Sequence, residues 1–331
     1  MTGIQPAPNP EPPGSEFAAP LFLLAPPRSF SSVVCAMLGQ HPQTYGLPET
    51  QLFGAETMAQ WWARCERATY PMEHGLLRVV AQLFFREQTE RSIGLARGWL
   101  RRRVHLSTGM VFELLAQAVH PRIAVDKSPS IVYHINFLDR VFAMFPQARF
   151  LHLVRHPIGH GESVLKAIRE AQQQGPVPDW LVHLASCPNL ETRDWPVPAP
   201  GLELDPQFGW HALHMNILNF LEAVPEAQKM RIQGEDLLTK PDPVLAQVAG
   251  WLGLRVDPEA IEEMKHPERS PYACYGPPGA VLGNDAFFLH RPALRPERGS
   301  PYSLDEPVSW YDDGRGLLPK VKQLAGRFGY T

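Results

Sequence analysis

Residues 21–34, LFLLAPPRSFSSVV, decide the fold of this chain. The apolar run at its start predicts a short buried strand, and the two prolines predict a tight loop. Ser31 or Ser32 is predicted to cap the helix that follows, which runs to about Gly39. The loop carries Arg28 and the hydroxyl groups of Ser29, Ser31 and Ser32. Backbone N–H groups at a helix N-terminus, together with an arginine, form a favourable site for phosphate or a similar anion. The G-x-x-x-x-G-K-[ST] pattern of ATP and GTP sites does not occur in this stretch, so we do not expect an ordinary magnesium-bound triphosphate here.

Composition is that of a soluble globular protein, because 44% of the 331 residues are hydrophobic and 20% are charged. The net charge of −3 gives no electrostatic reason to expect nucleic-acid binding. The four cysteines contain no C-x-x-C pair and the thirteen histidines have no metal-binding spacing, so we expect neither a disulfide framework nor a metal site. No apolar run reaches the length of a membrane span, and residues 1–18 have the composition of a disordered tail. These features favour the cytoplasm.

Predicted strands alternate with predicted helices along the chain. This alternation predicts an α/β fold, with a P-loop-like, mostly parallel sheet flanked by helices. The predicted strands are 21–25, 44–46, 122–125, 148–154 and 229–232. After a tail at 1–18, we expect a single domain at 19–331 with a helical insertion at 50–120 and long loops at 174–207 and 266–310.

Polar residues follow the predicted strands at their carboxyl ends. Glu49 follows the second strand, Lys127 the third and Arg155 the fourth, and Ser163 lies two turns into the next helix. Each residue alone could be a helix cap, a salt-bridge partner or a solvated strand end. Ligands of open parallel sheets bind at the carboxyl ends of the strands, so these residues and the Arg28 loop together predict one site.

These motifs resemble those of the sulfotransferases that use 3′-phosphoadenosine 5′-phosphosulfate (PAPS), especially the bacterial and glycan-type members. PPRSFSS at 26–32 resembles their 5′-phosphosulfate loop, and FPQARFLHLVRHP at 145–157, followed by Ser163, resembles their 3′-phosphate motif. The resemblance covers 21–170 well and 208–255 loosely, and further similar segments are LPETQLF at 47–53, DKSPS at 126–130 and GEDLL at 234–238. It implies a sulfotransferase that moves a sulfonate group from PAPS to an acceptor hydroxyl without a metal.

The same resemblance implies roles for individual residues. Lys127 would neutralise charge on the leaving phosphate oxygen, and Arg155 with Ser163 would hold the 3′-phosphate. An arginine suits that task because its planar guanidinium binds phosphate through two hydrogen bonds. The complete set that the resemblance places around the co-substrate is Arg28, Ser29, Phe30, Ser31, Ser32, Arg155 and Ser163.

Phe30 departs from the family pattern, because most members have glycine at this position. A glycine would allow a positive φ or a close approach to the anion, whereas phenylalanine disfavours positive φ. We therefore expect one of two arrangements. Either the loop follows an ordinary right-handed path, or the Phe30 ring points into the acceptor pocket.

The acceptor hydroxyl needs a base, and Glu49 is the first candidate. The alternative for Glu49 is a structural role as the cap or first-turn carboxylate of a helix that starts near Thr50. His211 and His214 are the second candidates, because their spacing places them on one face of a helix predicted at 208–224. The proposed catalytic set is therefore Glu49, Lys127, Arg28 and His211, while His152 is interpreted as a buried strand residue and His156 as a turn residue.

The sequence leaves the acceptor open between a small molecule, a glycan, a lipid and an acyl chain on a carrier protein. The layout is similar to that of bacterial sulfotransferases of polyketide pathways, which implies the carrier-bound option. Trp61 and Trp62 of the insertion could line a lipophilic pocket or simply pack between helices, and the run from Arg97 to Arg103 is interpreted as a solvated face. Two other functions are also open: a P-loop nucleotide kinase or hydrolase, and a catalytically inactive nucleotide-binding protein.

Glycines recur in the second long loop at Gly276, Gly279 and Gly283. We interpret them as turn residues. The alternative is that this loop closes over the bound nucleotide.

Overall fold

The computed structural model describes residues 17–175, 177–186, 205–296 and 302–331. The predicted tail therefore lies outside the described residues up to residue 16, as does most of the predicted loop at 174–207. Within the described ranges, no helix is both long and apolar enough to cross a bilayer. In the same ranges, no three His, Cys, Asp or Glu side chains are grouped so that they could hold a metal ion.

Five parallel strands form one sheet in the order β2-β3-β1-β4-β5. The central strand β1 pairs with β3 on one side and β4 on the other, so that Phe22 lies between Asp126 and Phe150. The α/β fold with a parallel sheet is confirmed, and each predicted strand is present within one residue of its predicted bounds. The strands are β1 (Leu21–Leu24), β2 (Thr44–Gly46), β3 (Ile123–Asp126), β4 (Arg149–Val154) and β5 (Lys229–Gln233).

Helices cover both faces of this sheet. They are α1 (Ser31–Leu38), α2 (Met58–Arg67), α3 (His74–Phe85), α4 (Glu90–Arg101), α5 (Thr108–Val119), α6 (Ile135–Met144), α7 (Pro157–Gln174), α8 (Asp179–Ser186), α9 (Pro206–Glu222), α10 (Gly234–Thr239), α11 (Pro241–Leu252), α12 (Pro258–Met264), α13 (Ala286–His290) and α14 (Pro319–Arg327).

The side chains of β1 alternate between two hydrophobic layers, as the twofold repeat of a strand requires. Phe22 and Leu24 pack with residues of the insertion and of α5, α6 and α9. Leu21 and Leu23 pack on the other face with residues of α1, α11 and α12. Because both faces are covered, β1 is apolar along its whole length, which is typical of a buried parallel strand.

The predicted insertion at 50–120 contains α2 to α5. Trp61 and Trp62 are buried in the hydrophobic core and their rings contact each other edge to face, so they pack between helices. The strand order has a direct consequence for the site. Since β1 and β4 are neighbours, the loop that carries Arg28 and the turn that carries Arg155 leave the sheet side by side.

The predicted loop at 174–207 is wrong over Asp179–Ser186, where the chain forms α8. This helix is fixed by contacts with α7 and α9 that its short, proline-flanked sequence does not reveal. Gly209 of α9 allows the closest of these contacts, because a Cβ atom there would lie 1.9 Å from the carbonyl oxygen of Leu184. That residues 19–331 form a single domain stays a prediction.

Candidate active site

A cleft opens where β1 and β4 end. Its wall contains six residues predicted from the sequence, together with Asp285 and Phe287 from the second long loop. The sequence placed these six in two motifs more than a hundred residues apart, and the fold brings them to one surface. They are Arg28, Phe30, Ser31, Ser32, Arg155 and Ser163.

The loop between β1 and α1 has an unusual backbone. Arg28 and Phe30 have φ angles of 70° and 63°, in the left-handed region that side chains with a Cβ rarely adopt. The expectation of a right-handed path is therefore wrong. Phe30 is also the residue that precedes α1, and no side chain caps this helix, so the prediction that Ser31 or Ser32 caps it is wrong as well.

Phe30 is part of the wall of the cleft, and its ring contacts two further residues. It lies 4.1 Å from the guanidinium carbon of Arg155 and packs against Gly234, where a Cβ atom would come within 2.6 Å of the ring. The cation–π contact and the packing offset the strain of the positive φ. That Phe30 points into the acceptor pocket stays a prediction.

Arg28 is held from several sides. Its Nη1 forms an ion pair with Asp285, its Nε donates to Ser163 Oγ at 3.3 Å, and its guanidinium lies 4.5 Å from the ring centre of Phe287. Its backbone carbonyl accepts a hydrogen bond of 2.6 Å from Arg155 Nη1. Arg28 and Arg155 therefore share one cleft.

Two further observations suit an anionic ligand at this loop. The hydroxyl of Ser29 is buried and has no hydrogen-bond partner among the described residues, so it can receive one from a ligand. The absence of a side-chain cap leaves the first N–H groups of α1 available in the same way. The loop residues therefore fit a phosphosulfate group.

Asp285 was not predicted from the sequence. Burial raises the pKa of its carboxyl, but the positive charges of Arg28 and Lys127 outweigh burial and hold the pKa below its ordinary value. Its side chain also accepts hydrogen bonds from the backbone of Phe287 and Phe288, which begins α13. The sequence pattern could have identified Asp285 as a helix cap. It could not have identified the ion pair of Asp285 with Arg28, because the two residues are 257 positions apart in the chain.

The second long loop thus reaches the cleft. The backbone carbonyl of Gly283 accepts a hydrogen bond from the Glu49 N–H at 2.8 Å, and Asp285 binds Arg28 two residues later. Gly279 and Gly283 have positive φ, as turn residues often do, and Gly283 also contacts the segment that carries Glu49.

Lys127 links the two halves of the site. Its side chain is 1% exposed, and its Nζ donates to Ser32 Oγ at 2.8 Å and to the Glu49 carboxylate. The other Glu49 oxygen accepts from Gln51 Nε2 at 3.1 Å. No α-helix begins near Thr50; a short 3₁₀ turn starts at Leu52 and α2 at Met58. The alternative role of Glu49 as a helix cap is therefore wrong.

His211 lies on α9 and, like Glu49 and Lys127, is not among the residues that line the cleft. Burial and the charge of Lys320 on α14 lower the pKa of His211 to about 4. His214 is fully buried, and its Nδ1 lies 2.9 Å from the Nε2 of His152. His152 is also buried, as expected for a strand residue. The structure thus brings Glu49, Lys127 and Arg28 into one region. His211 lies near the C-terminal helix α14 instead.

His156 and His160 support the loops around the cleft. The Nδ1 of His156 accepts from the Ile158 N–H and begins α7, so it acts as a turn residue. Its own N–H donates to Glu235 of the GEDLL segment at 2.9 Å. His160, which the sequence did not single out, is buried with its Nε2 2.9 Å from the Pro27 carbonyl oxygen.

The parallel sheet thus places a cleft lined by two arginines, Arg28 and Arg155, at the ends of β1 and β4. The family model described as "Sulfotransferase family" matches residues 20–258, more than two thirds of the chain. The chain therefore belongs to the sulfotransferase family; it is a sulfotransferase, and PAPS is its co-substrate.

Two solved structures are similar to the whole chain. The sulfotransferase domain from the curacin biosynthetic pathway has 22% sequence identity and a TM-score of 0.69, over 95% of this chain and 98% of that one. The sulfotransferase domain from the Synechococcus PCC 7002 olefin synthase has 22% identity and a TM-score of 0.69, over 97% and 98%. At this identity the likeness concerns the fold. No match to this chain is found among curated protein sequences.

Proposed function

We propose that this cleft binds PAPS and that Glu49 and Lys127 carry out the transfer of its sulfonate group to an acceptor hydroxyl. Arg28 and the N–H groups of Ser29 to Ser32 would hold the 5′-phosphosulfate end. Arg155 and Ser163 would hold the 3′-phosphate. The observation that most supports this proposal is the position of Lys127 Nζ, which contacts both Ser32 of the anion loop and the carboxylate of Glu49.

The bound co-substrate supplies a sulfonate group that passes to the acceptor oxygen while the phosphate oxygen leaves. Glu49 accepts the proton of the acceptor hydroxyl as that oxygen attacks. Lys127 stabilises the negative charge that develops on the leaving side. Because Lys127 is buried, its charge acts in a medium of low dielectric and is worth more than it would be in water.

The two candidate bases, Glu49 and His211, can be distinguished by substitution. Glu49→Gln keeps the size and a hydrogen-bond acceptor but cannot take a proton at neutral pH, so kcat should fall by about 100-fold. His211→Asn should change kcat by less than about threefold if Glu49 is the base. The opposite pattern would assign the base to His211 and would overturn the role of Glu49.

For the acceptor, we propose a hydroxyl on an acyl chain held by a carrier protein. The support is the likeness in fold to two domains whose names place them in a biosynthetic pathway and an olefin synthase. A free small molecule or a lipid with the same hydroxyl is the competing acceptor. We also propose a cytoplasmic location, as the composition favours.

Calorimetry tests the donor and a transfer assay tests the acceptor. Adenosine 3′,5′-bisphosphate, the expected product nucleotide, should bind and raise the melting temperature, whereas ATP with magnesium should not. Labelled PAPS should then transfer its label to a 3-hydroxyacyl chain on a carrier protein faster than to the same chain on free pantetheine. Magnesium-dependent phosphoryl transfer would favour a kinase, and binding without any transfer would favour an inactive nucleotide-binding protein.

A further inference from the structure

Asp126 is a buried carboxylate that the proposed chemistry does not use. It is the last residue of β3, it is 0% exposed, and it lies directly before Lys127. Its Oδ1 accepts a hydrogen bond of 2.8 Å from Thr50 Oγ1 and one of 3.3 Å from Ser128 Oγ. Its Oδ2 is buried and has no hydrogen-bond partner among the described residues. A buried carboxylate is costly, so its hydrogen bonds need a structural reason.

The partners of Asp126 lie on both loops of the proposed catalytic pair. Thr50 follows Glu49 in the chain, and Ser128 follows Lys127. Thr50 Oγ1 also lies 3.2 Å from Ser128 Oγ, and Ser128 Oγ accepts a hydrogen bond of 3.0 Å from the N–H of Gln51. Three residues of one loop therefore face three residues of the other.

Within this arrangement, successive residues of the two loops pair on opposite sides of the junction. Glu49 and Lys127 form one side of the junction, where the Glu49 side chain is 23% exposed and the Lys127 side chain is 1% exposed. Thr50 and Asp126 form its buried side. The hydrogen bonds on the buried side fix the two backbones relative to each other, and so they set the distance between the Glu49 carboxylate and the Lys127 ammonium.

We propose that Asp126 is a positioning residue of the transfer site, which ties the Glu49 loop to the Lys127 loop through Thr50 and Ser128. This inference rests on the proposed function of Glu49 and Lys127. Misplacing a catalytic group by about 1 Å can cost about 100-fold in rate. The donor-binding residues Arg28 and Arg155 are on other loops and Ser163 is on α7, so the tether should affect the chemical step and leave nucleotide affinity unchanged.

The test uses the full chain with Asp126→Ala and Thr50→Val, which remove the tether from opposite ends. Each should lower kcat by at least about tenfold and change the calorimetric Kd for adenosine 3′,5′-bisphosphate by less than about threefold. The double variant should be no slower than the slower single variant, because both changes break one interaction. Asp126→Asn keeps an acceptor for Thr50 and should recover part of kcat.

Asp205→Ala is the matched control. Asp205 is likewise a buried carboxylate; it accepts hydrogen bonds from the Gln207 N–H at 3.0 Å and from the Tyr311 hydroxyl at 2.5 Å, far along the chain from both catalytic loops. This variant should lower the melting temperature and leave kcat within about threefold of the unchanged protein.

An unchanged kcat in Asp126→Ala and Thr50→Val would overturn the inference. So would a loss of nucleotide affinity in parallel with kcat, because that pattern reports a general loss of structure. If Asp126→Ala does not fold, Thr50→Val, which keeps the shape of the side chain, decides alone. Failure of the proposed function is seen separately, as normal turnover in Glu49→Gln and Lys127→Ala.

Discussion

Arg155 donates a hydrogen bond of 2.6 Å from its Nη1 to the backbone carbonyl oxygen of Arg28. The same guanidinium lies over the ring of Phe30, two residues further along the loop. One arginine at the end of β4 therefore holds the strained loop at the end of β1, where Arg28 and Phe30 both have positive φ. The two proposed anion-binding motifs are thus in direct contact.

Replacing Arg155 should weaken donor binding more than it slows turnover. Arg155→Ala removes a charge-assisted hydrogen bond and the support of the loop, so the KM for PAPS should rise by about 10- to 100-fold, or roughly 1.5–3 kcal/mol. Arg149→Ala is the control, since Arg149 begins the same strand but donates to the Trp251 carbonyl and should leave KM unchanged. A fall in kcat with KM unchanged would contradict the role of Arg155.

Lys127 should show the reverse pattern. Lys127→Ala removes a buried charge that, in the proposed mechanism, acts on the reacting groups, so kcat should fall by about 100- to 1,000-fold. The Kd for adenosine 3′,5′-bisphosphate, measured by calorimetry, should change little. Lys229→Ala, which removes a lysine paired with Glu226, serves as the control. Equal losses in kcat and nucleotide affinity would show that Lys127 binds rather than catalyses.

Phe30 allows backbone strain and ring packing to be separated. Phe30→Ala loses the ring but keeps a Cβ at φ 63°, whereas Phe30→Gly loses the ring and relieves the strain. The glycine variant should therefore be more stable than the alanine variant by about 1 kcal/mol in chemical denaturation. Both should bind the nucleotide more weakly than the natural protein. Equal stability of the two variants would mean that the loop relaxes once the ring is gone.

Asp285 should compete with the donor for Arg28. Asp285→Asn keeps the helix cap of α13 but removes the negative charge beside the guanidinium, so adenosine 3′,5′-bisphosphate should bind about threefold to tenfold more tightly. Asp257→Asn is closely matched, because Asp257 also caps a helix and pairs with an arginine, Arg255, at the surface. Weaker binding in Asp285→Asn would instead show that Asp285 orients Arg28 for the ligand.

Asp126 should make stability depend on pH. Burial raises its pKa from 3.8 to about 6, against the opposing effects of its hydrogen bonds from Thr50 and Ser128 and the charge of Lys127. Between these two values the unfolded chain has lost the proton and the folded chain retains it, so the free energy of unfolding falls as pH rises.

The size of this loss is up to about 3 kcal/mol, and it is complete above about pH 6. Urea denaturation from pH 4.5 to 7.5 should show that the loss is smaller in Asp126→Asn. Lys127, Glu49 and the buried thiol of Cys35 face the same carboxyl, so the comparison of the two proteins isolates the Asp126 contribution. Identical pH profiles of the unchanged protein and Asp126→Asn would contradict the raised pKa of Asp126.

Local patterns in the sequence predicted most of the fold. Strand β4 was predictable because its apolar run is interrupted only by His152, which is buried against His214. The strand-end positions of Glu49, Lys127 and Arg155 followed directly from the strands. Helix α8 was missed because its stability comes from contacts with α7 and α9 rather than from its own sequence.

The sequence by itself determined the strands, the polar residues at their carboxyl ends and the family, because hydrophobic periodicity and short motifs are local properties of the chain. Only the tertiary structure decided the left-handed backbone of Phe30, the pairing of Arg28 with Asp285 and the burial of Asp126 between the two loops that carry Glu49 and Lys127. Each of these depends on residues that are distant in sequence and adjacent in space. The energy of such contacts overrides local backbone preference and leaves no periodic signal in the sequence.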